Sequence, residues 1–187
     1  MILKMCTFLS WVIKVVLVCL FVLTQVSGNT TSVLYTSAVK PPKSSNILNY
    51  AGKTYYFSTA VKANFYGAFQ FCRLQGMQLV SIMNDAENDR LGKFADEIGL
   101  KYEHFWTSGT NLANTQRFIW LSTGSAIVYS NWYPGEPTVH SSDGKDLTEN
   151  CIEATRTGGP KGLYWNDRYC LDELSFICEK YRNECRK

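Results

Sequence analysis

Apolar and polar positions fall into a regular order only from Tyr50 onward. Thr54-Tyr55-Tyr56-Phe57 is rich in aromatic and β-branched side chains and predicts a strand. Phe65, Ala68, Phe69, Cys72 and Leu74 then recur at helical spacing, with Gly76 as the stop, so a helix carries Cys72 on its apolar face. A second helix has clearer boundaries. Asn84 caps it, Glu87 stands three residues later as in a capping box, and Leu91, Phe94, Ala95 and Ile98 form one face before Gly99. Beyond Gly99 helical periodicity ends. Short strand-like pieces replace it at 104–107, 118–121, 127–132, 163–165 and 175–179, separated by long polar loops. Two early helices followed by a loop-rich β half predict an α+β domain.

The segment before Tyr50 divides in two. Residues 1–28 read as a secretory signal peptide: Lys4 opens a positive stretch, an apolar run covers 15–23, and Val26-Ser27-Gly28 supplies small residues for cleavage. The alternative is a signal anchor, but Lys14 interrupts the run and a span needs roughly 20 apolar residues. No second stretch of that kind follows, so a mature protein that is secreted, extracellular and not membrane-spanning is expected. Residues 29–47, with Pro41-Pro42 and little periodicity, read as an N-terminal lead-in. Asn29-Thr30-Thr31 is a glycosylation sequon at the expected new N-terminus. Residues 48–181 form the domain, and 182–187 a short basic tail.

Losing Lys4 and Lys14 takes the formal charge from +3 to +1, so no nucleic acid or other polyanion is implied as a partner. Cys6 and Cys19 leave with the leader. Cys72, Cys151, Cys170, Cys178 and Cys185 stay, in a compartment that favours disulfides. Their number is odd, and their spacing alone leaves the connectivity open. With no C-x-x-C, neither a zinc ribbon nor a thioredoxin-type site is suggested.

Three carboxylates (Glu136, Glu149 and Asp167), the Asn166 amide oxygen and the Thr138 hydroxyl lie in short strings of the β half. Hard oxygen donors of this kind suit Ca²⁺, which takes six to eight of them. A metal left short of protein ligands on one side can complete its shell with vicinal sugar hydroxyls. An enzyme is the weaker reading. His104 and His140 are the two histidines, and no HExxH, GxSxG or GxxxxGK[ST] pattern occurs. Glu136 and Glu149 resemble a glycosidase acid pair, but the calcium pattern uses the same acids without that coincidence.

In order and spacing, several strings together resemble the C-type lectin-like domain, particularly that of small secreted insect lectins. They are Cys72 in the first helix, Phe105-Trp106-Thr107-Ser108-Gly109, Trp132 before Glu136-Pro137-Thr138, Glu149-Asn150-Cys151, Trp165-Asn166-Asp167, Cys170 and Phe176-Ile177-Cys178-Glu179. The resemblance implies two helices with small antiparallel sheets, a long calcium-binding loop region, and disulfides Cys72–Cys178 and Cys151–Cys170. It implies one Ca²⁺ held by Glu136, Thr138, Glu149, Asn166 and Asp167, with a cis peptide before Pro137. Thr138 is the departure, because the family carries Asn or Asp there and a hydroxyl is a shorter, weaker ligand. The acids of the family's auxiliary site align with Asn111, Thr115, Val139 and Asn150, none of them charged.

The implied function is calcium-dependent binding of glycans in extracellular or innate immune recognition, with no enzymatic activity. Glu136, Thr138, Glu149, Asn166 and Asp167 are the sugar contacts, and His140 is placed to pack on the ring. Glu136 resembles the mannose-type arrangement, whereas the long segment 139–148 points towards galactose. Cys185 has no counterpart partner and is a candidate link in a disulfide-bonded homodimer, which would raise the avidity of a weak single site. The rival function is a lectin-like module that binds a protein without calcium.

Overall fold

The computed structural model describes residues 46–138, 148–156 and 162–182. All of them lie within the compact unit Pro41–Lys187. The leader, the Asn29 sequon, His140, Cys185 and the basic tail beyond Arg182 lie outside the described residues.

The chain opens with a hairpin, β1 (Ile47–Tyr50) and β2 (Lys53–Phe57). Ala51 and Gly52 join the two strands at φ 47° and 74°, the left-handed pair that a tight two-residue hairpin requires. Helix α1 (Phe65–Leu74) follows, capped by Asn64, whose side chain accepts from Gly67 N at 2.9 Å. Phe65, Ala68 and Cys72 form its buried face. Leu74 corrects the sequence reading: it is 72% exposed, nearly half a turn away from the face of Phe65, Ala68 and Cys72. Gly76 at φ 65° ends the helix, and Gly76 N and Met77 N return to the carbonyls of Arg73 and Cys72. The two-residue β3 (Gln78–Leu79) leads to α2 (Asp85–Glu97).

Asn84 caps α2 as expected, accepting from Glu87 N at 2.9 Å. Glu87 does not close a reciprocal box with Asn84. Its carboxylate reaches one residue further back to accept from Met83 N at 2.8 Å, and it is buried. There it meets Lys53, whose Nζ lies 2.8 Å from both Glu87 Oε1 and Glu179 Oε2. Tyr55 Oη also donates to Glu87, and Gln78 and Ser81 N donate to Glu179 at 3.1 Å. One buried cation thus joins the first hairpin, the start of α2 and the last strand.

The remaining strands are β4 (His104–Thr110), β5 (Ile119–Trp120), β6 (Ser125–Ala126), β7 (Cys151–Thr155), β8 (Tyr164–Arg168) and β9 (Ser175–Tyr181). They form a sheet in the order β1-β2-β9-β4-β5-β6, with β3 on β9, β7 on β4 and β8 on β7. Every pairing is antiparallel except β4 with β9. The expected α+β class and its two helices are therefore present, with three local corrections. Strand β7 has no counterpart in the sequence expectation, and β8 continues through Arg168 rather than ending at Trp165. Residues 127–132 form no strand. Tyr129 and Trp132 instead anchor that segment by edge-on packing against Trp165, with ring centroids 5.5 and 6.0 Å away. Asn131 O and Tyr133 N bond to Trp165 on either side of a single Trp132 bridge.

Two clusters make the core. Phe57, Leu91, Phe105, Trp120, Ile152 and Trp165 lie in one. The other surrounds the disulfides Cys72–Cys178 and Cys151–Cys170, the pairs implied by the resemblance, with Phe65, Trp106 and Phe176 packed around them. Between the clusters, the β4–β7 register shifts between Trp106 and Thr110. Gly109 sits in that irregular stretch because a Cβ there would come within 2.5 Å of Ile152 Cδ1.

Candidate functional site

The side chains singled out from the sequence arise at one end of β8 and in the two segments beside it. Antiparallel partners share a face of a sheet. Ile152 pairs with Asp167 and Ala154 with Trp165, so these four belong to one face, whereas Glu153 pairs with Asn166 on the other. Trp165 is fully buried, in edge-on contact with Trp120 at 5.3 Å, and its Nε1 donates to Asn88 Oδ1 at 3.2 Å. The strand is thus clamped from the core side immediately before Asn166 and Asp167.

The loop after Trp132 turns at Tyr133, where Glu136 N donates to Tyr133 O at 2.9 Å and Gly135 takes φ 99°. The Glu136–Pro137 peptide is cis. Thr138 ties this loop to both neighbours. Its N–H donates to Asp167 Oδ1 at 3.0 Å and its hydroxyl to Glu149 Oε2 at 3.3 Å. Thr138 therefore sits between Asp167 and Glu149 and links their carboxylates. Asp167 is fully buried, and Glu136, Glu149 and Asn166 are half-buried.

Electrostatically, this group is acidic and strained by mutual repulsion. The Glu136 carboxyl is pushed above the usual carboxylate range, chiefly by burial; Thr138 hydrogen bonding pulls it back and the Asp167 charge adds to the rise. Glu149 is raised too, first by burial and next by Asp167, with Thr138 and Arg168 offsetting part. Two oxygens have no hydrogen-bond partner, Glu136 Oε2 and Asn166 Oδ1. The Asn166 amide uses its Nδ2 towards Glu153 Oε1 at 3.4 Å, which leaves the oxygen as the free end. A buried carbonyl or carboxylate oxygen without a donor is costly in water-poor surroundings unless a cation or ligand meets it. The donor set is all oxygen, which fits Ca²⁺. Among the described residues, no three Asp, Glu, His or Cys side chains by themselves form a compact metal-holding group, so amide, hydroxyl and main-chain oxygens are needed to complete a shell.

Asn111, Thr115 and Asn150 also come together. Asn150 Nδ2 donates to Asn111 Oδ1 at 2.7 Å, and Asn111 Nδ2 to Thr115 O at 3.2 Å. Amides bonded to one another stand where the auxiliary-site acids were aligned.

A depression of about 200 Å³ beside Asn166 was not anticipated. Its lining includes His104, Tyr133, Glu136, Glu153, Thr155 and Tyr164. The alternation of Ile152-Glu153-Ala154-Thr155, and of the strand beginning at Tyr164, carries the signal for this shared face, once both stretches are read as paired strands.

Comparison with known proteins fits this architecture. The family model for the lectin C-type domain matches residues 61–180, and the chain belongs to that family. The family is one of carbohydrate-binding proteins without enzymatic activity, and its domains typically bind Ca²⁺. Salivary C-type lectin 2 of Aedes albopictus is 28% identical over 122 residues, 63% of this chain and 78% of that protein. The low affinity immunoglobulin epsilon Fc receptor of Homo sapiens is 34% identical over 134 residues, 71% of this chain but 36% of the receptor. Among solved structures, the carbohydrate-recognition domain of the mouse scavenger receptor C-type lectin aligns with TM-score 0.62 at 30% identity, covering 74% of this chain and 95% of that one. No helix among the described residues is long and apolar enough to cross a membrane.

Proposed function

We propose that this domain binds a terminal hexose of mannose or galactose type through one Ca²⁺, held by Glu136, Thr138, Glu149, Asn166 and Asp167. The observation that carries the reading is the pair of unpartnered oxygens, Glu136 Oε2 and Asn166 Oδ1, beside the buried Asp167 and the raised Glu149. A divalent cation relieves the repulsion among these acids and satisfies both oxygens. The protein's own part is to fix the donors. Trp165 locks the strand that bears Asn166 and Asp167, and Thr138 N–H orients the Asp167 carboxylate. Carboxylates at the rim then accept hydrogen bonds from sugar hydroxyls, and the Asn166 amide donates one.

The reading extends to a secreted protein whose lectin domain runs over 48–181. Two disulfides in the core support an oxidising destination. His140 at the sugar, a glycan on Asn29 and a Cys185-linked homodimer belong to the same proposal. Single sites that grip two hydroxyls bind weakly, and millimolar affinity is worth about −4 kcal/mol, so clustering of domains or glycans provides avidity.

The test is parallel chromatography of the purified protein, with Ca²⁺, on mannose and galactose resins followed by elution with EDTA. Retention on one resin with release by EDTA is expected. A folded protein that passes through both overturns the reading. The second reading, a partner protein bound without calcium, is favoured by Thr138 at a position where the family carries a longer ligand, and by the Fc receptor among the relatives. Binding to a protein partner that survives both EDTA and E149Q/D167N would establish it.

A further inference from the structure

We propose that Glu153 is a positioning residue of the calcium site: it turns the Asn166 side-chain amide so that the oxygen, and not the nitrogen, is offered to the cation. This rests on the calcium-site reading above. The two ends of an amide are nearly alike in shape, and a half-turn about its last torsion exchanges an acceptor for a donor. A donor aimed at Ca²⁺ repels it, so a metal site that uses an asparagine needs a partner that selects the orientation.

Glu153 has the chemistry and the place to do this. It stands on β7, between β4 and β8, and is 2% exposed. It pairs across the sheet with Asn166, and Arg168 pairs with Cys151, so Asn166 and Arg168 lie on the same face as Glu153. A carboxylate accepts hydrogen bonds and donates none. Its Oε1 lies 3.4 Å from Asn166 Nδ2 and 3.5 Å from Arg168 Nη1, and its Oε2 lies 2.8 Å from His104 Nδ1. Donors from both flanking strands thus surround two acceptor oxygens, and the nitrogen is the end of Asn166 that fits among them. The Asn166 oxygen is turned away from Glu153 and has no hydrogen-bond partner. Arg168 is itself held by Asp172 at 2.7 Å. Held by His104 on one strand and Arg168 on the other, the acceptor is in place before any metal arrives.

The experiment is calorimetric titration with Ca²⁺ alone, no sugar present, of the wild type, Glu153→Met, Glu153→Gln and the double variant E153M/N166D. E153M is expected to bind about ten- to a hundredfold more weakly, the cost typical of losing a group that orients a metal ligand. Arg168 keeps Asp172 in that variant, and the His104 side chain, 40% exposed, meets water, so the fold is retained. E153Q is expected to rescue most of the loss. Asn166 and Arg168 both donate, so the glutamine oxygen faces them and its nitrogen faces His104. E153M/N166D is expected to rescue it as well, because a carboxylate presents an oxygen whichever way it turns. In EDTA, NMR of the side-chain amides should show the Asn166 Nδ2 protons alike in the wild type and E153Q and displaced in E153M. A general loosening of the fold would displace the other side-chain amides too. E153M binding Ca²⁺ within about twofold of the wild type overturns the positioning role alone, since orienting groups are worth at least about tenfold. E153Q as weak as E153M overturns it, because charge and not the acceptor would then matter. A double variant as weak as E153M overturns it, because the loss would then be structural. A folded wild type that takes up no Ca²⁺ overturns the calcium-site reading itself, whatever the Asn166 protons show.

Discussion

Replacing Lys53 by methionine tests how the first hairpin is held to the rest of the domain. Lys53 is 8% exposed between Glu87 and Glu179, which are 4% and 1% exposed. Burial alone would lower the Lys53 pKa, but the charges and hydrogen bonds of Glu179 and Glu87 raise it above its ordinary value. Glu179 is held above the usual carboxylate range by burial, with Lys53 pulling it back. Removing one member of a buried ion pair costs about 3–5 kcal/mol, because the surviving charge has no counter-ion. Here two carboxylates survive, but each retains backbone or amide donors, from Met83 N to Glu87 and from Ser81 N and Gln78 to Glu179. Those donors keep the expected loss within that range. Urea unfolding at pH 7 with the disulfides intact should therefore show K53M less stable than the wild type by about 3–5 kcal/mol. The deficit should shrink as pH falls, because Glu179 takes up a proton and the uncompensated charge disappears. K53M/E179Q should recover part of it. A deficit under about 1 kcal/mol, or one independent of pH, would refute the claim that the pair is electrostatically coupled in the core.

Thr138→Asn should tighten Ca²⁺ binding about tenfold, the effect of roughly one added ligand contact, as measured by calorimetric titration; unchanged affinity would remove Thr138 from the metal shell. Opening Cys72–Cys178, which closes 106 residues, should cost about 4–5 kcal/mol, against about 3 for Cys151–Cys170 with its separation of 19, by paired-alanine variants in urea. Tyr129 is pushed up to about 12 by burial and by the Asp85 carboxylate. A raised pKa contributes stability that is complete below the unfolded value and is lost as pH rises through the folded one. The wild type should therefore weaken between about pH 10 and pH 12 more steeply than Y129F in alkaline unfolding curves. Gly109→Ala should destabilise by about 1–3 kcal/mol through overpacking against Ile152, seen as a lower urea midpoint with unchanged slope.

Much of the fold is written in local pattern. The Asn84 cap, the face of Leu91 and Phe94, and the Gly76 stop each depend on neighbours within a turn or two, so their spacing is enough to place them. The candidate site residues stood out for another reason: they lie in short strings whose order resembles that of a known family, and the structure brings Glu136, Thr138, Glu149, Asn166 and Asp167 into one neighbourhood. What escaped depends on distant partners. Glu87 reads as a helix-cap acid, yet its carboxylate serves Lys53 and Tyr55 on another strand. Lys53 carries no local signal of its role, yet it pairs with a glutamate 126 positions away. Strand β7 was hidden because Glu153 and Thr155 are polar on a face that the fold buries, so alternation suggested no core. Residues 127–132 have strand-like composition, but Tyr129 and Trp132 are committed to Trp165, and rings packed on a ring do not need a ladder.

Trp165 has a consequence for how recognition can diversify. It joins three other aromatic rings and a helix asparagine, and it immediately precedes Asn166 and Asp167, two of the residues proposed to hold the metal. A change at Trp165 or Asp167 is thus felt as a folding defect before it is felt as a change of taste. Tyr133 stands exposed on the rim, where its ring makes an edge-on contact with Tyr164 and is not built into the core. In a library of random variants, lost binding at the strand should travel with lost expression, whereas altered selectivity at the rim should come with normal yield. Evolution of this lectin is then free to revise what it recognises only from the outside inward.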